Sequence, residues 1–284
     1  MNASPNSSTA VHVRGLSKAY GRRPAVRELD LDVGHGEIFA ILGPNGAGKS
    51  TTIEILEGNR TRDSGNVRVL GEDPGTAGRN WRARIGIVLQ EVSDAGMLTV
   101  YETVQMFTSC YRAPRIPAEV LELVGLGAVA GSRVRNLSGG QRRRLDVALG
   151  IIGIPELLFL DEPTTGFDPE ARRQFWDLIK LLAADGTTVL LTTHYLEEAA
   201  ALADRVAVIA GGRVVAVDSP SKLTEHVSSA ATVRWVEGDE VHVEQTDHPT
   251  ALVRRRSADG AELAQLTISR PTLEDAYLQL IGAA

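Results

Sequence analysis

Nine consecutive residues, Gly43-Pro44-Asn45-Gly46-Ala47-Gly48-Lys49-Ser50-Thr51, carry the densest chemistry in the chain. They fit the pattern G-x-x-x-x-G-K-[ST]. Glycines let backbone N–H groups close around an anion, and a helix that starts there adds its positive dipole end. Lys49 has the reach for β- and γ-phosphates, and the Ser50 hydroxyl suits Mg²⁺. A second group is Asp161-Glu162, two carboxylates delivered by the apolar run Leu157-Leu158-Phe159-Leu160. The end of a strand is where an α/β sheet presents its chemistry. Asp161 can hold a metal, directly or through water. Glu162 can face the γ-phosphate and polarise a water for in-line attack. An isolated Asp-Glu pair would read as a solvated turn; the phosphate loop upstream favours the catalytic reading.

Both groups need elements to hold them. The run Ile38-Phe39-Ala40-Ile41-Leu42 reads as a buried strand entering the loop, and 51–56 as the helix leaving it. Before the loop, 11–33 reads as short alternating strands around a turn at Tyr20-Gly21-Arg22-Arg23-Pro24. After it, strands are expected at 66–70 and 84–89. From 91 to 152 the apolar spacing turns helical, as at Val100, Val104, Met106 and Phe107, which read as core. Beyond lie a strand at 157–160, an amphipathic helix at 169–184, a strand at 187–192, a helix at 195–203 and strands at 205–210 and 213–217. Strands alternating with helices around a phosphate loop predict an α/β fold with a largely parallel sheet. Residues 1–10 read as a disordered lead-in. A composition shift near Pro220 and a hinge at 228–231 divide a nucleotide-binding domain, 11–227, from a small α+β domain, 228–284.

Composition narrows the classes. The 284 residues carry a net charge of −6, against the basic excess of a nucleic-acid binder. Arg142-Arg143-Arg144 therefore reads as a helix face with solvated or structural charges. The single cysteine, Cys110, excludes an internal disulfide or a cysteine zinc cluster, and reads as a small buried hydrophobe. The sequence has no apolar run long enough to span a bilayer and no signal-like start, so a cytoplasmic location is expected.

Leu137-Ser138-Gly139-Gly140-Gln141, lying between the two groups, resembles the signature of ATP-binding-cassette (ABC) ATPases. The resemblance runs from 11 to about 225 and implies a P-loop fold with a helical signature subdomain at about 91–152. It implies ATP and Mg²⁺ as ligands. Tyr20 matches the adenine-stacking aromatic, where stacking is worth ~1–3 kcal/mol. Gln90 matches the glutamine that joins the Mg²⁺ shell with Ser50 and Asp161. His194 matches the switch histidine at the γ-phosphate, so Glu162, His194 and Gln90 form the implied catalytic set. Gly166-Phe167-Asp168 matches the loop after the second motif, with Phe167 in place of the commoner leucine.

In that family two cassettes pair head to tail. Ser138, Gly139, Gly140, Gln141 and Asp168 of one then complete the ATP site of the other. A homodimer, or a pairing with a second cassette, is implied. The stretches 139–146 and 164–169, with the ending Arg270-Pro271-Thr272-Leu273-Glu274-Asp275, are similar to the bacterial daunorubicin-resistance branch. Export of a drug or hydrophobic small molecule through a separate transmembrane permease follows as an expectation, with this chain peripheral on the cytoplasmic face of the membrane. The alternative is a soluble ABC ATPase acting on ribosomes or nucleic acid. The acidic charge and the single cassette argue against it.

Overall fold

A computed structural model describes residues 9–88, 96–225, 230–238, 240–257 and 262–282. The chain divides into two compact units, Met1–Val217 and Asp218–Ala284.

The first unit opens with β1 (Thr9–Tyr20) and β2 (Arg23–Gly34), an antiparallel hairpin. Its twelve-residue strands are longer than the short ones the sequence suggests. Register shifts near Val13, Leu16 and Lys18 interrupt the alternation, so each strand reads as fragments. Next come β3 (Ile38–Leu42), α1 (Lys49–Leu56), β4 (Ser64–Val69), the short α2 (Arg79–Arg82) and β5 (Ile85–Val88). Then α3 (Val100–Thr108), α4 (Pro117–Leu123) and α5 (Gly139–Ile151) fill the expected helical stretch. They are followed by β6 (Leu157–Asp161), α6 (Pro169–Ala184), β7 (Thr188–Thr192), α7 (Leu196–Leu202), β8 (Arg205–Ala210) and β9 (Arg213–Asp218).

Two sheets result. One is antiparallel, in the order β2-β1-β4. The other has six strands in the order β5-β6-β7-β3-β8-β9, and its pairings β5–β6, β6–β7, β7–β3 and β3–β8 are parallel. All five side chains of β3 and of β7 are buried. This is why β3 reads as an unbroken apolar run, and β7 as the apolar Val189-Leu190-Leu191 between two buried threonines. The antiparallel sheet, α1, Trp81, Phe39 and Phe159 share one apolar core. α5 lies directly on β5: a Cβ on Gly86 would sit 2.3 Å from the Gly150 carbonyl oxygen, so only glycine permits that approach.

Three expectations of burial change. Cys110 is exposed, Met106 is 50% exposed and Phe107 is half-buried. α3 buries only Val100, Thr103 and Val104, one i, i+3, i+4 stripe, and Met106 falls off it.

The second unit holds α8 (Pro220–Glu225), β10 (Ala231–Glu237), β11 (Glu240–Thr246), α9 (Pro249–Arg256), β12 (Ala264–Ser269) and α10 (Leu273–Gly282). Its antiparallel sheet runs β11-β10-β12 over a small core of Val233, Trp235 and Leu252. α8 packs on α10, with Leu223, Leu273 and Ala276 buried. The division therefore precedes the expected one at 227/228. Ser228 and Ser229 of the expected hinge, and most of the expected lead-in, lie outside the described residues.

Candidate functional site

The loop between β3 and α1 is built around strained glycines. Gly48 caps α1 at φ +102°, and a Cβ there would lie 2.4 Å from the Ala25 carbonyl oxygen of β2. No L side chain fits. As cap it offers no side chain to the first turn of α1, so those N–H groups face the loop without a capping partner. Pro44, Asn45, Gly46 and Ser50 are exposed at the mouth, and Ala47 is tucked beneath. Lys49 is 6% exposed, and its Nζ donates to the carbonyls of Gly43 (2.8 Å) and Pro44 (3.3 Å). Burial lowers its pKa, while the charges of Glu162 and Asp161 oppose that shift. The ammonium is thus poised among weak acceptors, and a phosphate would give it charged ones.

Parallel pairing of β6 with β7 sets the second group beside the first. Asp161 pairs with Thr192, whose hydroxyl donates to Asp161 Oδ1. The Glu162 N–H donates to the Thr192 carbonyl at 3.1 Å. Glu162 has φ +45°, a left-handed backbone that costs a non-glycine residue about 1–2 kcal/mol. Strain of this kind gathers where side-chain aim matters. His194, just beyond β7, brings Nδ1 to 3.3 Å from Glu162 Oε2. Lys49, Asp161, Glu162 and His194 therefore converge at the carboxyl ends of β3, β6 and β7.

The oxygen donors here, the Ser50 hydroxyl and the Asp161 carboxylate, suit a hard cation. Mg²⁺ is typically held by one or two such ligands together with substrate phosphates and waters. The described residues contain no group of three or more His, Cys, Asp and Glu able to hold a metal. A metal carried largely by its substrate needs none. Gln90 lies outside the described residues.

Tyr20 ends β1 with its side chain 46% exposed. The Arg60 guanidinium lies 5.3 Å from its ring centre, so one face already seats a planar partner. Ser138 caps α5 in a reciprocal box: its hydroxyl accepts from Gln141 N–H (3.2 Å), and Gln141 Oε1 accepts from Ser138 N–H (3.0 Å). Ser138 and Gly139 are exposed, and the first turn of α5 holds no acidic residue, which leaves a second helix end open to an anion. Asp168 is exposed and caps α6 by accepting from Ala171 N–H at 2.8 Å. Among the described residues, the hydrogen bonds of the Ser138, Gln141 and Asp168 side chains stay within their own helix ends.

Sequence reasoning missed the brace between these regions. Arg143 is 8% exposed; its Nε donates to the Pro163 carbonyl (3.0 Å) and its Nη2 to the Asp161 carbonyl (2.8 Å). It ties the signature helix to the loop bearing the two carboxylates. The available signal was its place in the helix, two residues beyond Gln141 and two before Leu145, itself 1% exposed. That signal was hidden within a triplet of arginines. Arg144 reaches Gln174 of α6 at 2.5 Å.

Comparison with known proteins completes the picture. A family model described as ABC transporter matches residues 26–165. A daunorubicin resistance ATP-binding protein of Streptomyces coeruleorubidus is 39% identical, over 96% of this chain and 95% of the relative. A Nod factor export ATP-binding protein of Rhizobium johnstonii is 38% identical, over 97% and 96%. Among solved structures, a dimeric bacterial ABC transporter cassette superposes with a TM-score of 0.66 at 25% identity, covering 74% of this chain and 98% of that one. A dimeric post-hydrolysis cassette bound to ADP and Pi has a TM-score of 0.66 at 26% identity, with the same coverage.

Proposed function

The chain belongs to the ATP-binding-cassette transporter family, and from that premise we propose that it is the ATP-hydrolysing subunit of an exporter, working as a head-to-tail pair of cassettes. The observation that carries this reading is the convergence of Lys49, Asp161, Glu162 and His194 at neighbouring strand ends, with a second anion-ready helix end at Ser138 whose contacts are all local.

ATP lies with its phosphates against the first turn of α1 and Lys49, and its adenine against Tyr20. Ser50 and Asp161, with Gln90, would hold Mg²⁺, which would supply neutralising charge to the phosphate oxygens. Glu162 orients and deprotonates the attacking water, and His194 donates to the γ-phosphate. Ser138 to Gln141 and Asp168 of the partner cassette close over the γ-phosphate. Loss of that phosphate removes the charge joining the halves, and the pair opens.

The path across the bilayer belongs to a separate permease chain. No helix of the described residues is long and apolar enough to cross a membrane. Met97, Tyr101 and Met106, exposed in and before α3, offer apolar area for a docked membrane helix. The cargo is a drug or other hydrophobic small molecule, a reading supported by the relatives' names.

The Glu162→Gln substitution tests the core of this reading. ATP binding should persist, phosphate release should fall by about 10²–10⁴-fold, and light scattering should find an ATP-dependent dimer. Unchanged phosphate release would remove Glu162 from its role as base. Purification from membranes should bring down a polytopic membrane protein; a ribosome in its place would favour the soluble alternative.

A further inference from the structure

Tyr195 follows His194 directly and stands at the start of α7 without a side-chain capping bond. Its N–H donates to the buried Thr193 hydroxyl at 3.0 Å, which fixes the backbone there. Its ring lies against the His194 imidazole, with centres 4.1 Å apart and planes inclined by 39°. On the Tyr195 ring sits a cation: the Arg172 guanidinium carbon is 4.6 Å from its centre.

Arg172 belongs to the first turn of α6, and its N–H donates to the carbonyl of the cap residue Asp168 at 3.0 Å. Arg172 Nε is buried and has no hydrogen-bond partner among the described residues. A guanidinium denied that bond gains most from an aromatic face, and the attraction strengthens as water is excluded. One turn further along α6, Trp176 Nε1 donates to the buried Glu198 Oε1 of α7 at 3.1 Å. Positions 172 and 176 lie on one face of α6 and grip the start of α7 at two points.

Three planar groups therefore stand in series, Arg172, Tyr195 and His194, and the series ends at the Glu162 carboxylate 3.3 Å away. We propose that Arg172 and Tyr195 are positioning residues for hydrolysis: their stack holds the His194 ring with Nδ1 at Glu162, and so leaves Nε2 for the γ-phosphate. The inference rests on the roles of Glu162 and His194 proposed above. His194 needs such support because its side chain is 41% exposed and has little packing of its own. The Tyr195 hydroxyl plays no part; the ring face does.

The experiment uses the full chain with Mg²⁺ and ATP, measuring kcat and KM in wild-type and His194→Ala backgrounds. In wild type, Tyr195→Ala and Arg172→Ala should each lower kcat about tenfold, with KM for ATP changed less than about twofold. Tyr195→Phe should restore most of the loss because it keeps the ring, and Arg172→Lys only part of it, because an ammonium keeps the charge but not the plane. In the His194→Ala background, Tyr195→Ala should cost nothing further. An equal loss in both backgrounds would make the stack ordinary packing and overturn the proposal. A loss in His194→Ala with none in Tyr195→Ala would overturn the stack alone. No loss in either would overturn both the stack and the reading of the site. Retained ATP affinity in each variant marks a folded chain, and Tyr195→Phe gives a folded comparison if Tyr195→Ala fails to fold.

Discussion

Glu57 closes α1 and is 5% exposed. Burial pushes its carboxyl up to about 7; the Asn59 amide opposes that rise, and the charges of Asp161 and Glu54 add to it. In the unfolded chain the group titrates near 4.5. Between those values the folded state binds more protons than the unfolded one, so stability falls as pH rises from about 4.5 to about 7. The whole shift is worth at most about 3 kcal/mol. Glu57→Gln should flatten that part of the stability profile and raise the denaturation midpoint above pH 7. Urea unfolding at a series of pH values measures it; a profile still falling between pH 5 and 7 would place the titration elsewhere. Lys49 is a simpler case. Lys49→Ala removes the cation set among the loop carbonyls, and ATP affinity should fall by at least about tenfold in equilibrium binding. Normal affinity would sink the loop assignment.

The helices act as struts between chemical groups far apart in sequence. α5 carries the signature turn at its start and Arg143 five residues after Ser138; Arg143 grips the loop that follows β6. Arg143→Ala loses the charge-assisted bonds to the Pro163 and Asp161 carbonyls, so destabilisation on the order of 3 kcal/mol is expected in chemical unfolding. Arg143→Lys should recover part of it, since one ammonium cannot match two forked donors. A change under about 0.5 kcal/mol in Arg143→Ala would show that water replaces the brace without cost. α6 is the second strut: Asp168 caps its start, and its first turn seats the Arg172 cation on Tyr195.

At the level of the whole chain, each unit has its own core, and every residue assigned to ATP lies before Val217. A chain ending at 217 should therefore bind ATP with the affinity of the full protein, as measured by calorimetry. Loss of binding would mean that the last 67 residues, 218–284, support the nucleotide site.

The chemistry of the site is legible in the sequence because it is local. A loop of nine residues, a carboxylate pair after an apolar run and a capped signature turn each write their function into adjacent positions. The parallel sheet is legible for a related reason: strands buried on both faces are apolar over most of their length, as in β3 and the middle of β7. The bulged hairpin of β1 and β2 is blurred, since each register shift resets the alternation. Folding alone settles what depends on distance in space. The pairing of β6 with β7 brings Thr192 to Asp161, and it leaves His194 within reach of Glu162. The packing of α5 on β5 buries Arg143 and leaves its neighbours Arg142 and Arg144 only partly covered. The burial of α3 on one narrow stripe exposes Met106, which hydrophobicity alone would have put inside. Side-chain type is a property of one position. Burial and aim belong to the neighbours, and the neighbours are set by contacts between residues distant in the chain.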